Sequence, residues 1–136
     1  MKRKSVLIWL MVLFASFVIL SCANGGAETK LEEIIILQQG MSTSTTDADF
    51  VQMCKEFNLK NNDINVFFTN AKKITRAILH DEHDLYPCYS KGTALLNTKK
   101  VNWRIHAGGI GFIKSDNAEQ VYACSEEQCK TIMGLF

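Results

Sequence analysis

Between Asp47 and Ala71 the apolar residues recur with a helical period. Phe50, Met53, Cys54 and Phe57 fall at i, i+3, i+4 and i+7, which predicts a helix with one apolar stripe. Thr46 or Asp47 can cap it, and Asp49 sits in its first turn, where the helix dipole favours negative charge. Asn58 to Asn62 breaks the pattern, and Ile64, Phe67, Phe68 and Ala71 then repeat it. A second helix is predicted from Asp63 to about Ala71. From Lys73 the period becomes two: Ile74, Arg76, Ile78 and His80 alternate with Thr75, Ala77 and Leu79. Asp81 to Pro87 reads as a loop, Cys88 to Leu96 as a strand, and Asn97-Thr98-Lys99-Lys100 as a hairpin turn. The cleanest alternation places Val101, Trp103, Ile105 and Ala107 inward and Asn102, Arg104 and His106 outward. Gly108, Gly109 and Gly111 allow a bulge or bend before Phe112 and Ile113. Ser115-Asp116-Asn117 is a turn, and Glu119 to Cys124 a final strand. Upstream, Leu31 to Leu37 suits either a strand or one helical face, and Gln38 to Thr46 reads as a polar loop. The expected fold class is α+β: two N-terminal helices packed on a small antiparallel β-meander of about four strands.

The first residues follow a different logic. Lys2, Arg3 and Lys4 form a positive cluster, and Val6 to Leu20 is apolar apart from Ser16. That run is shorter than the ~20 residues of a membrane span and suits the apolar region of a signal peptide. Ile19-Leu20-Ser21-Cys22 follows. This segment resembles the lipobox of bacterial lipoproteins, with an aliphatic residue three before the cysteine and a small one directly before it. Leu20 departs from the usual small residue between them. The resemblance implies cleavage before Cys22 and lipidation of Cys22. Ala23 in place of Asp implies transfer to the outer membrane, facing the periplasm. Ser21-Cys22-Ala23 also fits ordinary signal-peptidase cleavage after Ala23, giving a soluble periplasmic or secreted form. The expected organisation is a signal peptide over 1–21, a lipidated cysteine and flexible tether over 22–30, and a single α+β domain over 31–136.

Composition adds bounds. The chain has 136 residues, enough for one domain of ordinary size. Its formal net charge is +1, from 15 basic and 14 acidic residues. Three of the basic residues lie in the signal segment, so the chain from Cys22 onward carries 12 basic against 14 acidic residues, a net charge of −2. That balance argues against a nucleic-acid binder.

Four cysteines remain beyond Cys22: Cys54, Cys88, Cys124 and Cys129. An even number in an exported chain points to disulfides, and four cysteines allow three connectivities. Cys124 and Cys129 close a short ring worth roughly 2 kcal/mol by chain entropy, and this pair is favoured. A simple meander places Cys88 and Cys124 at opposite ends of the sheet, which also speaks for Cys124–Cys129. Cys54 and Cys88 would then be partners, or Cys54 a free thiol in the helix stripe.

His80-Asp81-Glu82-His83-Asp84 is the densest group of ligating side chains, and His80 and His83 are the candidate metal ligands. The competing reading is a solvated turn. His106 would join His80 only if their strands paired. The chain lacks G-x-S-x-G, H-E-x-x-H and S-x-x-K, and Ala107-Gly108-Gly109-Ile110-Gly111 has no helix pattern behind it to cradle phosphate. The expectation is a non-enzyme without cofactor: a small cell-envelope lipoprotein, anchored to the membrane by its N-terminal lipid. It would bind a protein partner, as an inhibitor or immunity protein against an envelope-active enzyme or toxin. The alternative is a periplasmic metal-binding protein using the His80–Asp84 cluster.

Overall fold

The computed structural model describes residues 28–136. The expected signal peptide, Cys22 and the first part of the expected tether lie outside the described residues. Among the described residues, six strands form one antiparallel sheet: β1 (Glu32–Ser42), β2 (Lys72–Ile74), β3 (Cys88–Leu96), β4 (Lys99–His106), β5 (Ile110–Lys114) and β6 (Glu119–Ala123). The spatial order is β1-β3-β4-β5-β6-β2. Helices α1 (Ala48–Cys54) and α2 (Asn61–Asn70) follow β1, α3 (Arg76–Glu82) follows β2, and α4 (Glu126–Cys129) follows β6.

This overturns the expected α+β arrangement with two N-terminal helices. A strand precedes both helices, and two strands flank the β3–β6 meander, one at each edge. The polar half of β1, Gln38 to Ser42, reads as a loop because an edge strand leaves much of its surface in water. The period-two stretch after Lys73 divides instead. Lys72–Ile74 pairs with Val121–Ala123, and Arg76–Glu82 is helical. Thr75 is the reason: its Oγ1 accepts the Ile78 N–H at 3.1 Å and caps the new helix.

The connection from β1 to β2 runs from one edge of the sheet to the other and carries α1 and α2. The backbone N–H of Lys60 donates to Asp63 Oδ2 at 2.8 Å and starts α2. Ile64, Phe67 and Phe68 on α2 are fully buried. They lie on the sheet face formed by Val101, Trp103, Ile105, Ile113 and Tyr122, in the main core. Gly111 lets the helix come close: a Cβ there would lie 3.2 Å from the Phe68 ring and still nearer Phe67. Phe67 and Phe68 meet edge to face at 5.1 Å, and Phe68 meets Tyr122 edge to face at 5.3 Å. The α1 stripe is only half used. Cys54 and Phe57 are buried, whereas Phe50 and Met53 are exposed. The helix stops at Cys54, and Phe57 reaches the core after a turn.

Both sheet edges are blunted, as exposed strand edges otherwise invite pairing with other chains. The three-residue β2 carries Lys72 and Lys73. Along β1, three register shifts break the ladder, the Gly40 N–H donates to Phe57 O, and Asn61 Nδ2 donates to Ile34 O.

Cys54 pairs with Cys88, and Cys124 with Cys129. Cys124–Cys129 is the favoured pair, and Cys54 joins Cys88 rather than remaining a free thiol, although one reason for the pairing fails. The register Tyr89↔His106↔Ile110↔Ala123 puts Cys88 and Cys124 at the same end of the sheet. In a four-strand antiparallel meander the first strand starts where the fourth ends. What selects Cys54 for Cys88 is the end of α1, which brings their Cα atoms to 4.9 Å.

Two predictions follow from this frame. The Cys54–Cys88 bridge spans 34 residues and Cys124–Cys129 spans 5. Chain entropy gives roughly 4 kcal/mol for the first and roughly 2 kcal/mol for the second. Urea denaturation of the two double-Ala variants should rank them in that order; a larger loss at Cys124/Cys129 would contradict it. The β3–β4 hairpin turns through Asn97 at φ 51° and Thr98 at φ 66°. Two positive φ values mark a type I′ turn, which suits Asn and strains a β-branched Thr. Thr98→Gly should raise stability by about 1 kcal/mol in the same assay; no gain would mean the turn carries no strain.

Candidate functional site

The two faces of the sheet are covered unequally. One is sealed by α2 and the chain around it. On the other, Ile110, Phe112 and Val121 form a small cluster with Ile74, Leu79 and Ala123, so α3 covers only the β5–β6 side. The β1–β3–β4 side of that face is open, with Ile35 56% and Leu37 62% exposed.

A row of rings and one cation marks the boundary between covered and open. Arg104 and Phe112 are directly opposite each other on β4 and β5. The guanidinium sits 4.8 Å from the Phe112 ring centre and 5.9 Å from that of Tyr89. Next along β4, His106 stacks between Tyr89 at 5.3 Å and Phe112 at 5.8 Å. Beside this row is a depression of about 290 Å³. Leu37, Lys91, Asn102, Arg104, Phe112 and Lys114 line it, together with Glu119. Glu119 is held by Arg76 of α3 in an ion pair. Among the described residues Arg104 forms no ion pair, and its Nε–H is buried without an acceptor.

His106 lies on the face opposite Trp103, as its parity requires, but it is buried rather than outward. The segment at Tyr86 covers it: the carbonyl of Tyr86 accepts from His106 Nδ1 at 2.8 Å. A carbonyl only accepts, so Nδ1 bears the proton and Nε2 presents a lone pair. That lone pair is buried and unpartnered. Burial pushes the imidazole below its ordinary value of 6.5, and Arg104 pushes the same way against the Tyr86 hydrogen bond.

The remaining candidates are dispersed. His80 lies near the end of α3 with its side chain 88% exposed and its Nδ1 2.9 Å from Asp81 Oδ1. His83 is the C-terminal cap of that helix. Among the described residues no three His, Cys, Asp or Glu side chains come together to hold a metal ion. His80 stands on a helix, so it has no strand with which to meet β4. Cys54, Cys88, Cys124 and Cys129 are all buried in disulfides, and Cys22 lies outside the described residues. A second concave surface, of about 440 Å³, lies at the disulfide end between Met53, Tyr86 and Phe136. Among the described residues no helix is long and apolar enough to cross a membrane. No family model matches the chain, and no curated protein or solved structure matches it either.

The Arg104–Phe112 pair was missed by sequence reading, which put Arg104 on a solvated face. The available signal was the run Tyr89, Lys91, Thr93 against Asn102, Arg104, His106, two alternating rows that face the same way once β3 and β4 pair.

His106 gives this site a pH signature. With the folded value below 6.5, the unfolded chain binds a proton that the folded chain refuses in the interval between them. The contribution of His106 is therefore complete above pH 6.5 and declines as pH falls from 6.5 towards the folded value. Urea midpoints should drop across that interval for the native chain and stay flatter for His106→Phe. Equal slopes would show that His106 does not titrate differently in the two states.

Proposed function

We propose that this is an exported, lipid-anchored envelope protein that binds another protein and carries out no chemistry of its own, in the manner of an inhibitor or immunity protein. The observation that carries the reading is the open half of the sheet. Ile35 and Leu37 stand exposed beside Lys91, Arg104 and Lys114 around one depression. Aliphatic side chains and a half-buried guanidinium without an ion pair among the described residues carry a cost on an open face, which a partner removes if it covers the first and brings an acceptor to the second. The two buried disulfides suit an oxidising compartment, in accord with the signal segment and the lipobox-like Cys22. Cys22 lies six residues before Glu28, and six extended residues reach about 20 Å. An anchor at Cys22 would hold the domain close to the membrane surface and restrict its partner to that layer. No observed geometry favours the metal-binding alternative at His80 and His83.

Mass spectrometry of the mature N-terminus tests the address: a diacylglyceryl-cysteine at Cys22 is expected, and a free amine at Asn24 would replace the anchor by a soluble form. Affinity capture with the mature chain, compared with an Ile35→Ser/Leu37→Ser variant, tests the binding reading. A protein retained in stoichiometric amount by the native chain and lost with the variant is the expected outcome. Failure to retain any protein from envelope extracts would remove the reading.

A further inference from the structure

The open face pairs its exposed aliphatic residues with charge that is mainly positive. Three cations, Lys91, Arg104 and Lys114, surround the depression, and Lys100 continues the row on β4. The carboxylate at its rim, Glu119, is already engaged by Arg76. This concentration stands out on a chain whose net charge beyond the signal segment is −2. Arg104 is also placed in advance. Phe112 holds the guanidinium 4.8 Å from its ring centre, and with Nε buried the two Nη groups are the end that an incoming group can meet. A fork fixed in this way matches a carboxylate, which accepts two parallel N–H bonds.

We infer that the open face of β1, β3 and β4 takes an acidic segment of the partner protein, with a carboxylate on Arg104 and an apolar side chain in the depression beside Leu37. The inference rests on the protein-binding reading above and supplies the chemistry of the partner. A narrow polypeptide suits the site better than an anionic bilayer. Arg104 is half-buried in a concave surface, within reach of a projecting side chain, whereas a flat lipid surface meets cations that protrude. Lys91, Lys100 and Lys114, all exposed, surround the buried contact and steer an acidic partner towards it.

The test uses the mature chain labelled with ¹⁵N and a short synthetic peptide alternating Glu with Phe and Leu. Controls are the same peptide with Lys for Glu, the same with Ala for Phe and Leu, and phosphatidylglycerol vesicles. The acidic apolar peptide should shift the amide signals of Lys91, Arg104 and Phe112, with weakening by added salt. Arg104→Gln should weaken binding about tenfold, and Arg104→Lys should recover only part of it, because a single ammonium lacks the fork. Native-like spectra of both variants establish that they fold. Equal binding of the Lys peptide, a stronger response to vesicles, shifts confined to Met53, Tyr86 and Phe136, or no shift at all would each overturn the inference. A captured partner that meets this face with basic residues would also overturn it while leaving the protein-binding reading intact. Loss of that reading, in contrast, shows as an empty capture.

Discussion

The contact of Phe67 and Phe68 with the sheet at Gly111 organises the whole chain. The sequence between β1 and β2 must travel from one edge of the sheet to the other, and α2 makes that crossing over the face. Its two aromatic rings can lie against β5 because Gly111 presents no side chain, and Tyr122 of β6 closes the cluster. Burial of the two rings contributes on the order of 4–6 kcal/mol by area transfer, comparable with the net stability of a small domain. Without this seat, β2 would not be delivered to β6, and α3, which starts directly after β2, would have no fixed position. The second cluster under Leu79 is therefore downstream of the first.

The sealed face stabilises, and the half-sealed face is available for work. α3 has seven residues, and Leu79 is the residue it contributes to the second cluster, so its cover ends at Phe112. Arg104 occupies the line where cover ends. Its guanidinium lies over Phe112, and among the described residues its charge has no counter-ion. The ring contact offsets part of the cost of half-burying that charge, and an acceptor brought from outside would offset more. His106 behind it fills space between Tyr89 and Phe112, where burial disfavours its charged form.

Legibility in the sequence followed the strength of the period. The hairpin of β3 and β4 was readable because its strands alternate and its turn carries Asn, whereas β5, buried at its first four positions, shows no alternation. The α2 stripe was readable because Ile64, Phe67 and Phe68 all reach the core. Where burial is partial, the pattern misled. β1 needs only Ile34 and Ile36 against the core, so its polar second half looked like loop. Ile74, Ile78 and His80 alternated by coincidence, and the hydroxyl of Thr75 decided for a helix. Phe50 and Met53 matched a core stripe that α1 is too short to bury. Of the candidate residues, the Cys124–Cys129 pair was legible by spacing, whereas the choice between a bridge and a free thiol at Cys54 depended on where α1 ends. The Arg104 site was not, because it depends on which strands neighbour β4 and on where α3 ends.

The position of β1 and of the Cys54–Cys88 bridge has a mechanical consequence. A pull entering at the N-terminal side meets β1 as an edge strand, whose pairs with β3 can open one after another from Glu32↔Leu95 to Ser42↔Cys88. Beyond that point tension reaches Cys54 and passes through the sulfur bridge directly to Cys88. The enclosed stretch, with α2, β2 and α3, is bypassed as a slack loop beside a taut line. Force that peels one strand thus does not run through the backbone of α2, which carries Phe67 and Phe68.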